Sequence, residues 1–155
     1  MAYAGPTKRL RQDVLDRVAT HMLTQKRRSL LPDDADPECP DAMTRCAYRG
    51  ADGAKCAVGC LIPDELYTRD LEGHGVGSDV VRPVLLRALN VHGFLLRNIR
   101  PMLRRLQSLH DSTVEITNAG ERELDESELF RTWRAGLLAM ANEYDLTTDK
   151  WETLK

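Results

Sequence analysis

The chain has 155 residues, 42% of them hydrophobic and 30% charged, with a formal net charge of -2. That length suits one domain burying roughly two thirds of the surface it would expose unfolded, so neither metal nor disulfide is needed merely for it to fold, and the composition is far from that of a disordered chain. The longest apolar runs, such as Val84 to Leu86 and Phe94 to Leu96, fall far short of the roughly 20 residues of a membrane span, so no transmembrane helix is expected.

Thr7 follows Pro6 and can cap a first helix in which Leu10, Val14, Val18 and Met22 recur on one face, with Lys26, Arg27 and Arg28 near its C-terminal end. The N-terminus, MAYAGPTKRLRQ, lacks the apolar centre of a secretory signal. A short tail over residues 1–6 is expected, and the four cysteines are expected to be thiols or ligands in a reducing cytoplasm. Residues 32–44 read as an acidic loop broken by prolines; its carboxylates lack the spacing of an EF-hand.

Next comes the cysteine- and glycine-rich stretch RCAYRGADGAKCAVGCLIPDELY, Arg45 to Tyr67. Asp52-Gly53 flanked by short apolar runs predicts a β-hairpin near residues 45–58. Pro63 is suited to the first position of a helix, with Asp64 and Glu65 in its first turn and Gly73 beyond its end, so residues 63–72 are expected to be helical. GHGVGSD, Gly73 to Asp79, reads as a flexible connection: no strand precedes it, no Lys-Ser/Thr follows, and Asp79 would repel a phosphate.

Helices are expected from about Asp79 to Val91, tolerating Pro83 in the first turn, and from Asn98 to His110, with Pro101 in the first turn and Met102, Leu103, Leu106 and Leu109 at helical spacing. Thr113 to Thr117 alternates like a short strand or forms a loop. The last helix begins near Asp125 or Ser127 and presents Phe130, Trp133, Leu137, Met140 and Tyr144 on one face as core, with Gly136 marking a close helix approach and Trp151 in a final turn. The chain is therefore read as a mostly helical α+β domain over residues 1–155.

Charge is distributed in blocks. Residues 1–31 carry seven Lys/Arg against two acids and residues 32–79 four against eleven; residues 80–110 carry six Arg and no acid, and residues 111–155 five against eleven. Such blocks either face one another inside one fold or leave the all-arginine stretch as an exposed stripe for an acidic protein or nucleic acid. An isoelectric point of about 6.1 favours a local patch over general nucleic-acid binding.

Three groups of residues have candidate chemistry. Cys46, Cys56 and Cys60 with His74 supply enough soft ligands for zinc, although no Cys-x-x-Cys knuckle is present; the alternative is inert core thiols. Cys56 beside Lys55 has no His within fifteen residues to act as base for a catalytic thiol. His110-Asp111, with another His upstream at His74 or His92 and a late Asp145, has the residue order of HD-type metal phosphohydrolases, or else is a helix end with a favourable C-terminal cation. Arg97, Arg100, Arg104 and Arg105 form the candidate binding surface.

Cys46-x-Tyr48-Arg49-Gly50-x-x-Gly53-x-Lys55-Cys56-Ala57-x-Gly59-x-Leu61-Ile62, followed by Asp64-Glu65-x-Tyr67, resembles a group of small uncharacterised proteins of tailed phages and bacterial genomes. Leu106-Gln107-x-x-His110-Asp111 and the Trp133 to Tyr144 helix are similar to the same group. The resemblance implies a setting, in which small phage proteins often act by binding a host protein or nucleic-acid complex, defence systems included. The expectation is a non-enzymatic, cytoplasmic regulator or inhibitor with an acidic host protein or nucleoprotein complex as partner and no membrane. The alternatives are an HD-type phosphohydrolase and a small zinc-binding protein.

Overall fold

Pro6, with no amide proton to lose, opens the first helix, α1, Pro6–Gln25, after Gly5. Thr7 lies inside the helix and caps nothing. Val14, Val18 and Met22 are buried on its inner face together with Leu15, Ala19 and Leu23, and Lys26 ends it in the left-handed conformation, its amide donating to Met22 O. The computed structural model describes residues 5–32, 43–112 and 114–155. Most of the expected tail, nearly all of the acidic loop with Cys39, and Thr113 lie outside the described residues.

Two short strands follow, β1 Leu30–Pro32 and β2 Met43–Cys46, paired antiparallel with Leu30 opposite Cys46. The hairpin expected over residues 45–58 is therefore replaced. Cys46 pairs backwards with β1, and around Asp52-Gly53 only an isolated antiparallel bridge joins Arg49 to Lys55. Gly53, at φ 82°, makes the turn.

The helix expected over residues 63–72 is also absent. Single 3-10 turns stand at Gly59–Leu61, Asp64–Leu66 and Arg69–Leu71, separated by the extended residues Ile62, Tyr67 and Thr68. Pro63 itself is extended, at ψ 152°, rather than helical. The side chains at both ends are held crosswise by Arg49, Lys55 and the amides of Tyr48 and Arg49, and these tertiary bonds outweigh a weak local preference.

Helix α2, Val81–Leu89, is shorter than expected and ends at Asn90 in the left-handed conformation. Helix α3, Gly93–Asp111, starts five residues before Asn98, which leaves Pro101 in its interior at the loss of one backbone hydrogen bond. Burial of Leu96 and Ile99 explains the earlier start, because they continue the stripe of Met102, Leu103, Leu106 and His110. Strands β3, Val114–Thr117, and β4, Gly120–Glu123, pair antiparallel.

Asp125 caps α4, Glu126–Glu143, in a reciprocal capping box with Glu128. The structure is mostly helical. Helix α1 packs on α3 and α4, and Trp133 and Trp151 are both fully buried in one contiguous apolar cluster. A Cβ on Gly136 would lie 2.5 Å from Leu109, so α3 and α4 approach closely there. Trp151 sits in the final turn, its amide donating to Thr148 O.

Candidate functional site

The stretch Arg45 to Tyr67 folds as a knot tied by two side chains. Arg49 donates through Nη1 to the carbonyls of Gly59 at 2.6 Å and Tyr48 at 3.2 Å. Through Nη2 it donates to Ile62 O at 2.6 Å and Asp64 Oδ1 at 2.9 Å, and its guanidinium lies 5.0 Å from the centroid of Tyr67. Glu72 answers from the other side: its carboxylate accepts from the amides of Tyr48 and Arg49, both at 3.0 Å, and from the Tyr67 hydroxyl at 2.9 Å.

These bonds satisfy backbone groups that neither helix nor sheet serves in this irregular segment. Lys55 reaches Asp64 at 3.1 Å, Arg27 reaches Asp52 at 3.0 Å, and Asp52 accepts from Ala54 N at 2.9 Å. A Cβ on Gly59 would lie 2.2 Å from Tyr48 O, so only glycine permits the crossing. The polar residues of the motif are occupied in holding the chain together.

The thiols follow the same logic. Cys56 Sγ accepts from Gly59 N at 3.2 Å, and Cys60 donates to Ala57 O at 3.1 Å. Burial pushes each thiol up to about 12, far from the thiolate that attacks or binds metal. Cys46 is half-buried and raised by burial as well, partly opposed by Arg28, whose Nη2 donates to its sulfur at 3.5 Å.

Cys46, Cys56 and His74 do line one cleft of about 230 Å³, with Glu72, Gln107 and Asp111. Cys60 is not part of it. Among the described residues no group of three or more His, Cys, Asp or Glu is placed to hold a metal ion. The expected zinc ligands Cys46, Cys56, Cys60 and His74 are thus not assembled, because the one-turn spacing of Cys56 and Cys60 directs both sulfurs onto their own turn.

His110 and Asp111 touch each other but point into different surroundings. His110 is fully buried, stacked on Trp133 with ring centroids 5.2 Å apart and 17° between planes. Its Nδ1 bonds Asp111 Oδ1 at 2.9 Å, and its Nε2 is buried with no hydrogen-bond partner. Asp111 also accepts from Gln107 at 2.9 Å. Burial alone would raise its carboxyl, but these bonds from His110 and Gln107 hold it below the ordinary range. Enclosed against Trp133, His110 belongs to no group of three or more metal-ligating side chains among the described residues, and Asp145 pairs with Lys8 on the surface.

The arginines separate the charge blocks. Lys8 pairs with Asp145 and Arg28 with Glu123, so the basic N-terminal block meets the acidic C-terminal one, and Lys150 with Asp16 joins the same two blocks with the charges reversed. Among the described residues Arg105 is the one arginine of residues 80–110 that forms an ion pair, with Glu143 on α4 at 2.5 Å. Among the described residues Arg82, Arg97, Arg100 and Arg104 form no ion pair.

Arg105 therefore parts company with the other three expected binding residues. Arg97, Arg100 and Arg104 stand three and four residues apart on one side of α3, whereas Arg105 lies about 100° further round. Arg82 of α2 joins Arg97 and Arg100 around a hollow of about 200 Å³ whose rim also carries Asp79. Val76 and Gly77 connect that hollow to a second one lined by Arg104, Ser78 and Asp111. Arg104 lies across Gly77, where a Cβ would come within 2.6 Å of its Nη2.

Phe94, 65% exposed, and Val80, 41% exposed, are the two exposed large hydrophobic side chains among the described residues. They flank the arginine hollow in sequence, next to Gly93 and Asp79 of its lining. The Arg97 guanidinium lies 6.0 Å from the Phe94 centroid. In the sequence Phe94 stood out only as the start of a short apolar run; its three-residue step to Arg97 was the available signal. No helix among the described residues is long and apolar enough to cross a membrane. Comparisons with family models, curated proteins and solved structures found no match.

Proposed function

We propose that the protein is a non-enzymatic binding protein of the host cytoplasm, of phage or prophage type, which holds an acidic protein partner on Arg82, Arg97, Arg100 and Arg104 and thereby inhibits a host protein or nucleic-acid-associated complex. The carrying observation is the uneven use of charge: Lys8, Arg17, Arg27 and Arg28 of the other basic segment form internal ion pairs, while four arginines converge on two joined hollows without one. Arginines left unpaired on one face attract an opposite charge over a Debye length of about 8 Å at physiological salt and set partner orientation. Free thiols at Cys46, Cys56 and Cys60 suit a reducing compartment.

The test is binding of fluorescent polyglutamate, measured by anisotropy at low salt, for the wild type, R97Q/R100Q/R104Q and R105Q. The triple variant is expected to lose at least tenfold in affinity with an unchanged melting temperature, and R105Q to bind like wild type. Equal binding by the triple variant refutes the reading, and an oligothymidylate that outcompetes polyglutamate redirects it to nucleic acid.

A further inference from the structure

Helix α3 has a second regular stripe besides its buried one. Phe94, Arg97, Pro101, Arg104 and Ser108 recur at alternating steps of three and four, and all five are exposed. The opposite side, with Leu96, Ile99, Met102, Leu103 and Leu106, is buried against the rest of the fold. A three-four repeat is the pattern with which one helix receives another along a shallow crossing angle. From residue 94 to residue 108 it extends about 21 Å, roughly four helical turns.

The chemistry along the stripe is graded. Phe94 supplies uncovered aromatic area at one end, with Val80 close by in sequence beyond the hollow of Arg82, Arg97 and Arg100. Pro101 and Ser108 are short and allow close approach. Arg97 and Arg104 stand seven residues apart, the repeat of two turns on a facing helix. Aromatic and arginine side chains together are the typical centre of a protein interface.

Asp79 bears on which anion fits. A fixed carboxylate on the rim of the three-arginine hollow repels a doubly charged phosphate more than a single carboxylate that approaches from the arginine side. A phosphate backbone would also leave Phe94 and Val80 without an apolar partner.

We infer that the partner presents an acidic amphipathic helix of about four turns that lies along α3, its carboxylates spaced seven residues apart on Arg97 and Arg104 and a bulky apolar side chain packed on Phe94. This deepens the proposed function and rests on it. Arg82 and Arg100 close on the helix from the side of the hollow, and Gly77 keeps Arg104 low enough to meet a carboxylate.

Two 18-residue fluorescent peptides of identical composition test this, both helix-stabilised. One carries Leu and Glu in the matching three-four order; in the other the Glu residues are rotated to the opposite face. In 150 mM salt the matched peptide is expected to bind at least ten times more tightly. F94A is expected to reduce its affinity about tenfold, and R87Q, outside both hollows, to leave it unchanged.

If the two peptides bind alike and both are lost in R97Q/R100Q/R104Q, the helix inference is overturned and the acidic-partner reading stands. If neither peptide distinguishes that variant from wild type, both fall. Displacement of the matched peptide by oligothymidylate overturns the inference in favour of nucleic acid. Concentration-dependent self-association that F94A abolishes overturns it in favour of a second copy of the chain.

Discussion

Replacing Gly59 by alanine tests the knot at its tightest point. The new Cβ would stand 2.2 Å from Tyr48 O, 3.0 Å from Tyr48 C and 3.1 Å from Tyr48 Cα. All three are backbone atoms, so no side chain can swing aside, and one strand of the crossing must move by about 1 Å to restore a normal contact. Overpacking of this kind costs about 1–3 kcal/mol. The displacement also stretches the 2.6 Å bond from Arg49 to Gly59 O, a hydrogen bond to a charged group worth about 1.5–3 kcal/mol. Together they predict a loss of about 4 kcal/mol, or a fall in melting temperature of roughly 8–16 °C for a chain of this size. Differential scanning calorimetry reads it directly, with Gly75→Ala as control because nothing lies within 4 Å of the Cβ there. A melting temperature for Gly59→Ala within about 2 °C of wild type refutes the claim that the motif is a packing device.

Gly77→Ala is expected to melt like wild type, since only the flexible end of Arg104 must shift, yet to weaken polyglutamate binding severalfold in the anisotropy assay. Cys56 and Cys60 are held protonated by burial. Peptide mapping after iodoacetamide treatment at pH 8 should find both unlabelled in the native protein and labelled in urea, because the thiolate fraction is on the order of 0.01% for a thiol at about 12. Their raised values also mean that above about pH 9 the unfolded chain releases protons that the folded chain keeps, so the urea midpoint should fall as pH climbs from 9 toward 12. Asp111 has the opposite sign. Its carboxyl is held low in the fold, so its contribution is complete above the unfolded value near 4 and is lost as pH falls below it. The gap in urea midpoint between wild type and Asp111→Asn should therefore narrow from pH 6 to pH 3.

Local chemistry in the sequence was enough for much of the helical frame. The apolar periods of α1 and α4 and the capping residue Asp125 depend on neighbours within a few turns and stand where patterning puts them; Gly136 was the sequence's signal of a close approach, which Leu109 of α3 makes. The same holds for the unusual charge of residues 80–110, which is a property of composition. The central motif was legible as a tight corner and as thiols without knuckle spacing, but its internal geometry was not. Pro63 and its two acids are an adequate helix start, yet the bonds from Arg49 and Lys55 to Asp64 and from Tyr48 and Arg49 to Glu72 hold the chain extended between single turns.

Only the tertiary structure decided how the arginines divide. Sequence neighbours Arg104 and Arg105 have the same chemistry, but a step of 100° around α3 puts one beside the glycine loop and the other against Glu143 of α4. It likewise turned His110 onto Trp133 while leaving Asp111 in the cleft. The sequence by itself determined α1, α4 and the greater part of α2 and α3, and which segments carry unbalanced charge, because those follow from short-range periodicity and composition. Which charges are neutralised and which stay unpaired depends on what packs against each helix face, and that is settled by contacts between residues far apart in the chain.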